Sequence, residues 1–245
     1  MASSSKAGSQ SGRIMTSHAA SSVQGAHMPT QAATYVDAIR HLPAGSTLII
    51  PDVSWAEYEQ LLADLGEGYA VRLTYDQGRL EIMSPSSKHG KYTAFVLLLG
   101  HVLASELKTS FESFGSTTFK EPALKQGAEP DTCFYVQHAA QVVGKDDLDL
   151  AVDPPPDVVV EIDVSHSSAR KLAFYAKLGV PEVWRFEEPR ASMYHLTGTD
   201  YTEAQASLAF PAFTADMLTA LLHQISTEGQ QAVLEAFGES LRHRT

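Results

Sequence analysis

Pro156-Asp157-Val158-Val159-Val160-Glu161-Ile162-Asp163 reads as a strand. With a side-chain repeat of two, Asp157, Glu161 and Asp163 share one face, while Val158, Val160 and Ile162 take the other. Carboxylates on an otherwise apolar strand are costly to bury unless a cation or a donor neutralises them. The strand runs into Ser165-His166-Ser167-Ser168, whose hydroxyls suit a helix N-cap, and the helix that follows carries Lys171 in its early turns, close to the strand's carboxyl end. A helix N-terminus and a lysine together present positive potential to a phosphate oxygen. A further acid comes from Glu129-Pro130-Asp131, where Pro130 suits a strand entrance and Asp131 opens a strand that directs Phe134 and Val136 inwards. A hard divalent cation such as Mg²⁺ takes one or two carboxylates together with water and phosphate oxygens. Asp131 and Glu161 converging from neighbouring strands match that demand, and such an ion would polarise a phosphate and activate water. The plainer alternatives are an Asp131 that bonds its own backbone at a strand entry and an ion pair of Glu161 or Asp163 with Lys171 or Arg170.

The elements around these residues follow from periodicity and punctuation. Ser54 to Leu65 reads as a helix with Ser54 as N-cap, Glu57 completing a capping box, and Tyr58, Leu61, Leu62 and Leu65 on its apolar face. Val71 to Tyr75 and Arg79 to Met83 read as a hairpin joined by Asp76-Gln77-Gly78. His89 to Leu107 is the longest helical candidate, with Phe95, Leu98, Leu99, Val102 and Leu103 at spacings of three and four. Phe111 to Phe119, Thr132 to Gln137 and Val158 to Val164 read as strands, the last rich in Val and Ile as a strand covered on both faces should be. Ser167 to Leu178 is helical and capped by Gly179, and Pro181 precedes a short strand at Val183 to Phe186. A hairpin around Gly198 and helices over Thr214 to Ile225 and Glu228 to Arg242 follow, and the stripe Leu172, Tyr175, Ala176 and Gly179 reads as core packing.

The chain has 245 residues, 44% of them hydrophobic, enough for one sizeable domain with appendages. Residues 1–33 hold few large apolar side chains and read as a disordered segment. Residues 34–210 form the expected domain, and residues 211–245 are C-terminal helices packing on it or extending it. Lys and Arg number 18 against 29 Asp and Glu, a net charge of −11 that repels phosphates. A nucleic-acid partner must then be met by a local basic patch or by bound cations. Lys88, Lys91, Lys120, Lys125, Arg170, Lys177 and Arg185 are the candidates for that patch. Cys133 is the sole cysteine, which excludes an intrachain disulfide and a thiolate-rich zinc site. The longest apolar run, Ala94 to Leu99, is far short of the roughly 20 residues a membrane span needs, and no signal peptide is visible. No membrane partner and a cytoplasmic location are expected.

Three stretches carry a family resemblance: Glu129 to Gln137 (EPDTCFYVQ), Asp153 to Asp163 (DPPPDVVVEID) and Lys171 to Arg185 (KLAFYAKLGVPEVWR). They closely resemble the Uma-two family of restriction endonucleases, and the likeness extends upstream to Gly78 to His89 (GRLEIMSPSSKH), covering residues 50 to 205. That family belongs to the PD-(D/E)XK phosphodiesterase superfamily. The resemblance implies an α/β (α+β) restriction-endonuclease-like fold, a mixed central sheet flanked by helices with a Mg²⁺ site at one edge. It implies that Asp131 is the first metal-binding acid, Glu161 the second, and Lys171 the family's lysine, moved from the strand to the next helix. Where the superfamily's usual pattern has a lysine two residues after the second acid, this chain has Asp163. His89 matches a histidine typical of the family, and His89 and Asp163 join the candidate catalytic set. The expected activity is metal-dependent hydrolysis of DNA phosphodiester bonds with Mg²⁺, or Mn²⁺ in its place, by a homodimer. The alternative is a catalytically inactive nuclease-fold module that binds nucleic acid or protein.

Overall fold

A computed structural model of the chain describes residues 31–66, 68–164 and 167–243. Helix α1 (Gln31–Arg40) takes in the last three residues of the segment expected to be disordered, and residues 1–30 lie outside the described part. Strand β1 (Thr47–Ile50) leads to α2 (Trp55–Leu65). The capping box is formed as expected: Glu57 N donates to Ser54 Oγ at 3.2 Å and Ser54 N donates to the Glu57 carboxylate at 2.7 Å. Tyr58 and Leu61 from this helix are fully buried against β2 (Arg72–Asp76) and β3 (Arg79–Met83). The β2–β3 hairpin turns more tightly than expected. Asp76 pairs with Arg79, so only Gln77 and Gly78 form the loop, and both have positive φ (45° and 105°). That is the type I′ turn, whose twist matches that of its strands.

Helix α3 (Ser87–Leu107) starts at Ser86, whose side chain accepts from His89 N. After it come β4 (Glu112–Gly115), β5 (Phe119–Glu121), β6 (Gln126–Ala128), β7 (Thr132–Tyr135), the short α4 (Ala139–Val142) and β8 (Val158–Asp163). Helix α5 (Ala169–Lys177), β9 (Glu182–Glu187), β10 (Arg190–Thr197), β11 (Asp200–Ala204), α6 (Ala215–Gln224) and α7 (Gln230–Arg242) complete the order. The single strand expected over Phe111 to Phe119 is instead two, because its register with β7 shifts between Ser113 and Gly115 and Gly115 turns with φ 56°. The bulge ends the pairing and re-aims the chain, so that β4 and β5 lie in different sheets.

The first sheet, in the order β1-β3-β2-β6-β5, is antiparallel throughout. The second is a mixed sheet, as the family resemblance implies, in the order β11-β10-β9-β8-β7-β4, with β8 and β9 parallel and α5 as their crossover. Its central strand β8 is buried along its whole length. Val158, Val160 and Ile162 pack with Phe95 and Leu99 of α3 and with Leu222 and Phe237 of the last two helices. On the opposite face Val159 packs with Cys133 and with Phe174 and Tyr175 of α5. The two-residue alternation along β8 thus aims Glu161 and Asp163 at α5. Among the described residues no helix is long and apolar enough to cross a membrane.

Candidate active site

Strands β7 and β8 pair with Thr132 opposite Val160, which puts Asp131, one residue outside the ladder, across from Glu161. Asp131 N donates to Val160 O at 3.2 Å, and Asp131 Oδ2 accepts from Ile162 N at 2.6 Å. The first turn of α3 brings His89 to the same carboxylate, with Nε2 2.9 Å from Asp131 Oδ2. Glu161 stands on the α5 side. Lys171 Nζ lies 3.1 and 3.0 Å from its two oxygens and also donates to Glu129 O at 2.9 Å. Tyr175 OH donates to Glu161 Oε1 at 2.5 Å. The side chains of Asp131 and Glu161 are 0% exposed and that of Lys171 is 7% exposed, so their charges meet in a medium where electrostatics is strong.

Burial is the largest influence on all three groups, and neighbours decide where each ends. Burial alone would push the Asp131 carboxyl up. The His89 imidazole, the Lys171 ammonium and the Ile162 N–H outweigh it, and Asp131 sits below the usual carboxylate value. For Glu161, burial and the nearby Asp131 charge win over Lys171 and Tyr175, so its carboxyl is lifted. Burial works against the Lys171 ammonium, but the charges of Glu161 and Asp131 more than restore it, and Lys171 is held in its protonated form. The group is therefore one firm carboxylate, one carboxyl that needs a counter-cation, and one permanent ammonium.

The donor inventory tests whether a cation suits these residues. A carboxylate offers about four acceptor positions. Asp131 Oδ2 meets Ile162 N and His89, whereas the buried Asp131 Oδ1 has no hydrogen-bond partner among the described residues. Glu161 Oε1 takes two donors, Lys171 and Tyr175, and Oε2 takes one. Open acceptor capacity thus remains on one oxygen of each acid. Among the described residues no three His, Cys, Asp or Glu side chains gather into a cage. Two carboxylate oxygens without a cage suit a cation that keeps most of its water, as Mg²⁺ does.

The remaining candidates fall elsewhere. Asp163 does not face the Lys171 ammonium as a partner: it pairs with Arg185 Nε at 2.6 Å and accepts from Ser168 N at 3.0 Å. It ties the end of β8 to Ser168 at the start of α5, and its partner is Arg185 on the adjacent strand in place of the Arg170 considered from sequence. Asp157 is occupied by Val136 N, His138 N and the His138 ring. His166 lies outside the described residues. The basic residues have separate partners: Lys88 meets Glu188, Lys91 meets Ile225 O, Lys120 approaches Glu59, and Lys177 meets Gln126. Arg170 and Lys171 share a narrow cleft with Thr74, Arg79, Gln126 and Ser167, between the first sheet and α5. Sequence reasoning missed two participants. Tyr175 stands four residues after Lys171, hence on the same helix face, a signal masked by its equal fitness for core packing. Glu129 is buried beside the site, its carboxylate held by Leu73 N, Thr118 and Tyr69, and nothing local marks it.

The family model described as "Putative restriction endonuclease", Uma2, matches residues 28–224. The chain belongs to the Uma2 family. The Uma2 match begins ahead of α1 and ends with α6, beyond the span of residues 50 to 205 seen from the motifs. It therefore takes in both sheets and all the candidate site residues of this Uma2 chain. A crystal structure described as that of "a putative nuclease belonging to DUF820 from Anabaena variabilis ATCC 29413" is 16% identical, with a TM-score of 0.47 over 69% of this chain and 99% of that one. Comparison with curated proteins gives no match.

Proposed function

We propose that this Uma2 protein is a metal-dependent endonuclease that hydrolyses DNA phosphodiester bonds, with Asp131 and Glu161 holding Mg²⁺, or Mn²⁺ in its place. One observation carries the reading: two acids from neighbouring strands, one with an unbonded oxygen and the other with acceptor capacity left on Oε2, stand beside a buried ammonium group. The bound cation would supply Lewis-acid polarisation of the phosphate. Lys171, held protonated, is an electrostatic group, not a proton acceptor, and its role is to stabilise charge on the phosphate or to orient the attacking water. His89 keeps Asp131 ionised and oriented, which is the support that metal-binding carboxylates need. Asp163, tied to Arg185 and Ser168, anchors the start of the helix that carries Lys171 and so acts as a positioning residue. The cleft that holds Arg170 and Lys171, where Arg79 is already paired with Glu81 at 2.7 Å and Asp76 also stands, is the proposed approach for the phosphate backbone, with Arg170 as the cation to attract it. A homodimer would supply one such site per DNA strand, and a monomeric mass in light scattering would remove that part.

The test is incubation of purified protein with plasmid and oligonucleotide DNA in Mg²⁺ or Mn²⁺. Cleavage is expected from the wild type, with a loss of about 10²–10³-fold in Lys171→Ala, the scale for removing one charge-stabilising group. Wild-type cleavage no greater than that of Lys171→Ala discards the reading. A second reading, a catalytically silent module binding nucleic acid or protein, is favoured by one feature: Lys171 already neutralises Glu161 in a site with almost no exposed surface. Calorimetry separates the two. Absent Mn²⁺ binding with retained DNA binding supports the silent module, and Mn²⁺ binding lost in Asp131→Ala sinks it.

A further inference from the structure

Glu161 is held by two donors from one helix, and only one of them belongs to the acid, acid, lysine group. Lys171 touches both carboxylate oxygens, whereas the Tyr175 hydroxyl selects one, Oε1, at 2.5 Å. We infer that Tyr175 is a positioning residue: by filling the free acceptor position of Oε1 it leaves Oε2 as the oxygen that Glu161 presents to a divalent cation. This deepens the proposed function and rests on it.

Three observations support the role. The helical repeat places residues 171 and 175 on one face, so the phenol and the ammonium reach the carboxylate together. Tyr175 is fully buried and packs with Phe174 and Val159, which fixes the ring and with it the direction of the hydroxyl. Asp131 shows the same division of labour: Oδ2 accepts from Ile162 N and lies 2.9 Å from His89 Nε2, and Oδ1 has no donor among the described residues. Each acid thereby keeps unfilled acceptor capacity on one oxygen, Asp131 Oδ1 with no donor and Glu161 Oε2 with the Lys171 ammonium alone.

The test is Mn²⁺ binding to the full chain by calorimetry, in wild type, Tyr175→Phe and Asp131→Ala. Tyr175→Phe keeps the ring, and binding about 10–100-fold weaker is expected, the range for losing a group that orients a metal ligand. A purely packing role predicts unchanged affinity in this variant. Wild-type affinity in Tyr175→Phe, with binding abolished in Asp131→Ala, overturns the positioning role and leaves the proposed function standing. No Mn²⁺ binding by the wild type overturns both. Should Tyr175→Phe fail to fold, tyrosine-labelled wild type is followed by NMR with and without Mg²⁺. The buried Tyr175 hydroxyl proton should persist and shift when Mg²⁺ is added, and a resonance indifferent to Mg²⁺ overturns the inference.

Discussion

Lys171 and Glu161 form a pair that water scarcely reaches, and the energetics of such pairs sets a prediction independent of catalysis. Removing one partner strands the other's charge, at a cost of about 3–5 kcal/mol, whereas replacing both with apolar groups is close to neutral. Lys171→Met should therefore lower the urea midpoint markedly in EDTA, and Lys171→Met combined with Glu161→Leu should recover most of the loss. A Lys171→Met protein as stable as the wild type would mean that the pair does not neutralise Glu161 in the folded state. At this scale the sequence was informative where a residue's neighbours along the chain set its direction. The alternation of β8 put Glu161 and Asp163 on one face, and the short link to α5 put Lys171 near them. It was uninformative where the partner arrives from another element. Arg185 reaches Asp163 from β9, and His89 reaches Asp131 from α3, pairings that only the folded chain defines.

The elements read most clearly were those with a strong period or an explicit cap, such as α2 with its capping box and the buried β8. Strands β1 and β6 went unread. Strand β6 is three residues, Gln126-Gly127-Ala128, too short to show alternation and broken by a glycine. The fold explains that glycine: a Cβ at position 127 would lie 2.6 Å from Tyr58 Oη and 3.0 Å from its ring. Tyr58 is fully buried and stacked on Tyr75 at 4.8 Å, so it has little room to yield. Gly127→Ala is expected to destabilise by about 1–3 kcal/mol, the range for overpacking a filled core, as read from chemical denaturation. The shift should be removed by Tyr58→Leu in the same chain, which clears the contact. An additive result for the two substitutions would show that Tyr58 is not what excludes the side chain. The first sheet escaped the sequence reading for the same reason: β6 joins β2 to β5, and without it the strands on either side have no visible common sheet.

Across the whole molecule, the second sheet is joined to the C-terminal helices by a buried acid. Glu182 on β9 is 0% exposed and accepts from Trp184 Nε1 at 2.7 Å and from Ser207 Oγ, Leu208 N and Ala209 N at 3.0 Å each, fixing the segment that leads into α6. Burial is the largest influence on its carboxyl and exceeds the pull of these donors, raising it from an ordinary 4.5 to about 7. In the unfolded chain the same group releases its proton near 4.5, so between these values the folded protein carries a proton that the unfolded chain has lost. Stability from this group is complete below pH 4.5, falls as pH rises, and is gone above about 7. The loss is on the order of 3 kcal/mol. The substitution Glu182→Gln removes the titration, so its urea midpoint should decline less steeply than that of the wild type between pH 5 and 7.5. At acid pH its stability should lie close to the wild type's, because the protonated carboxyl and the amide are both neutral and both carry a donor among these groups. Parallel pH profiles for the two proteins would place the pH sensitivity of the fold outside Glu182 and would mean that the four donors, not burial, govern its charge.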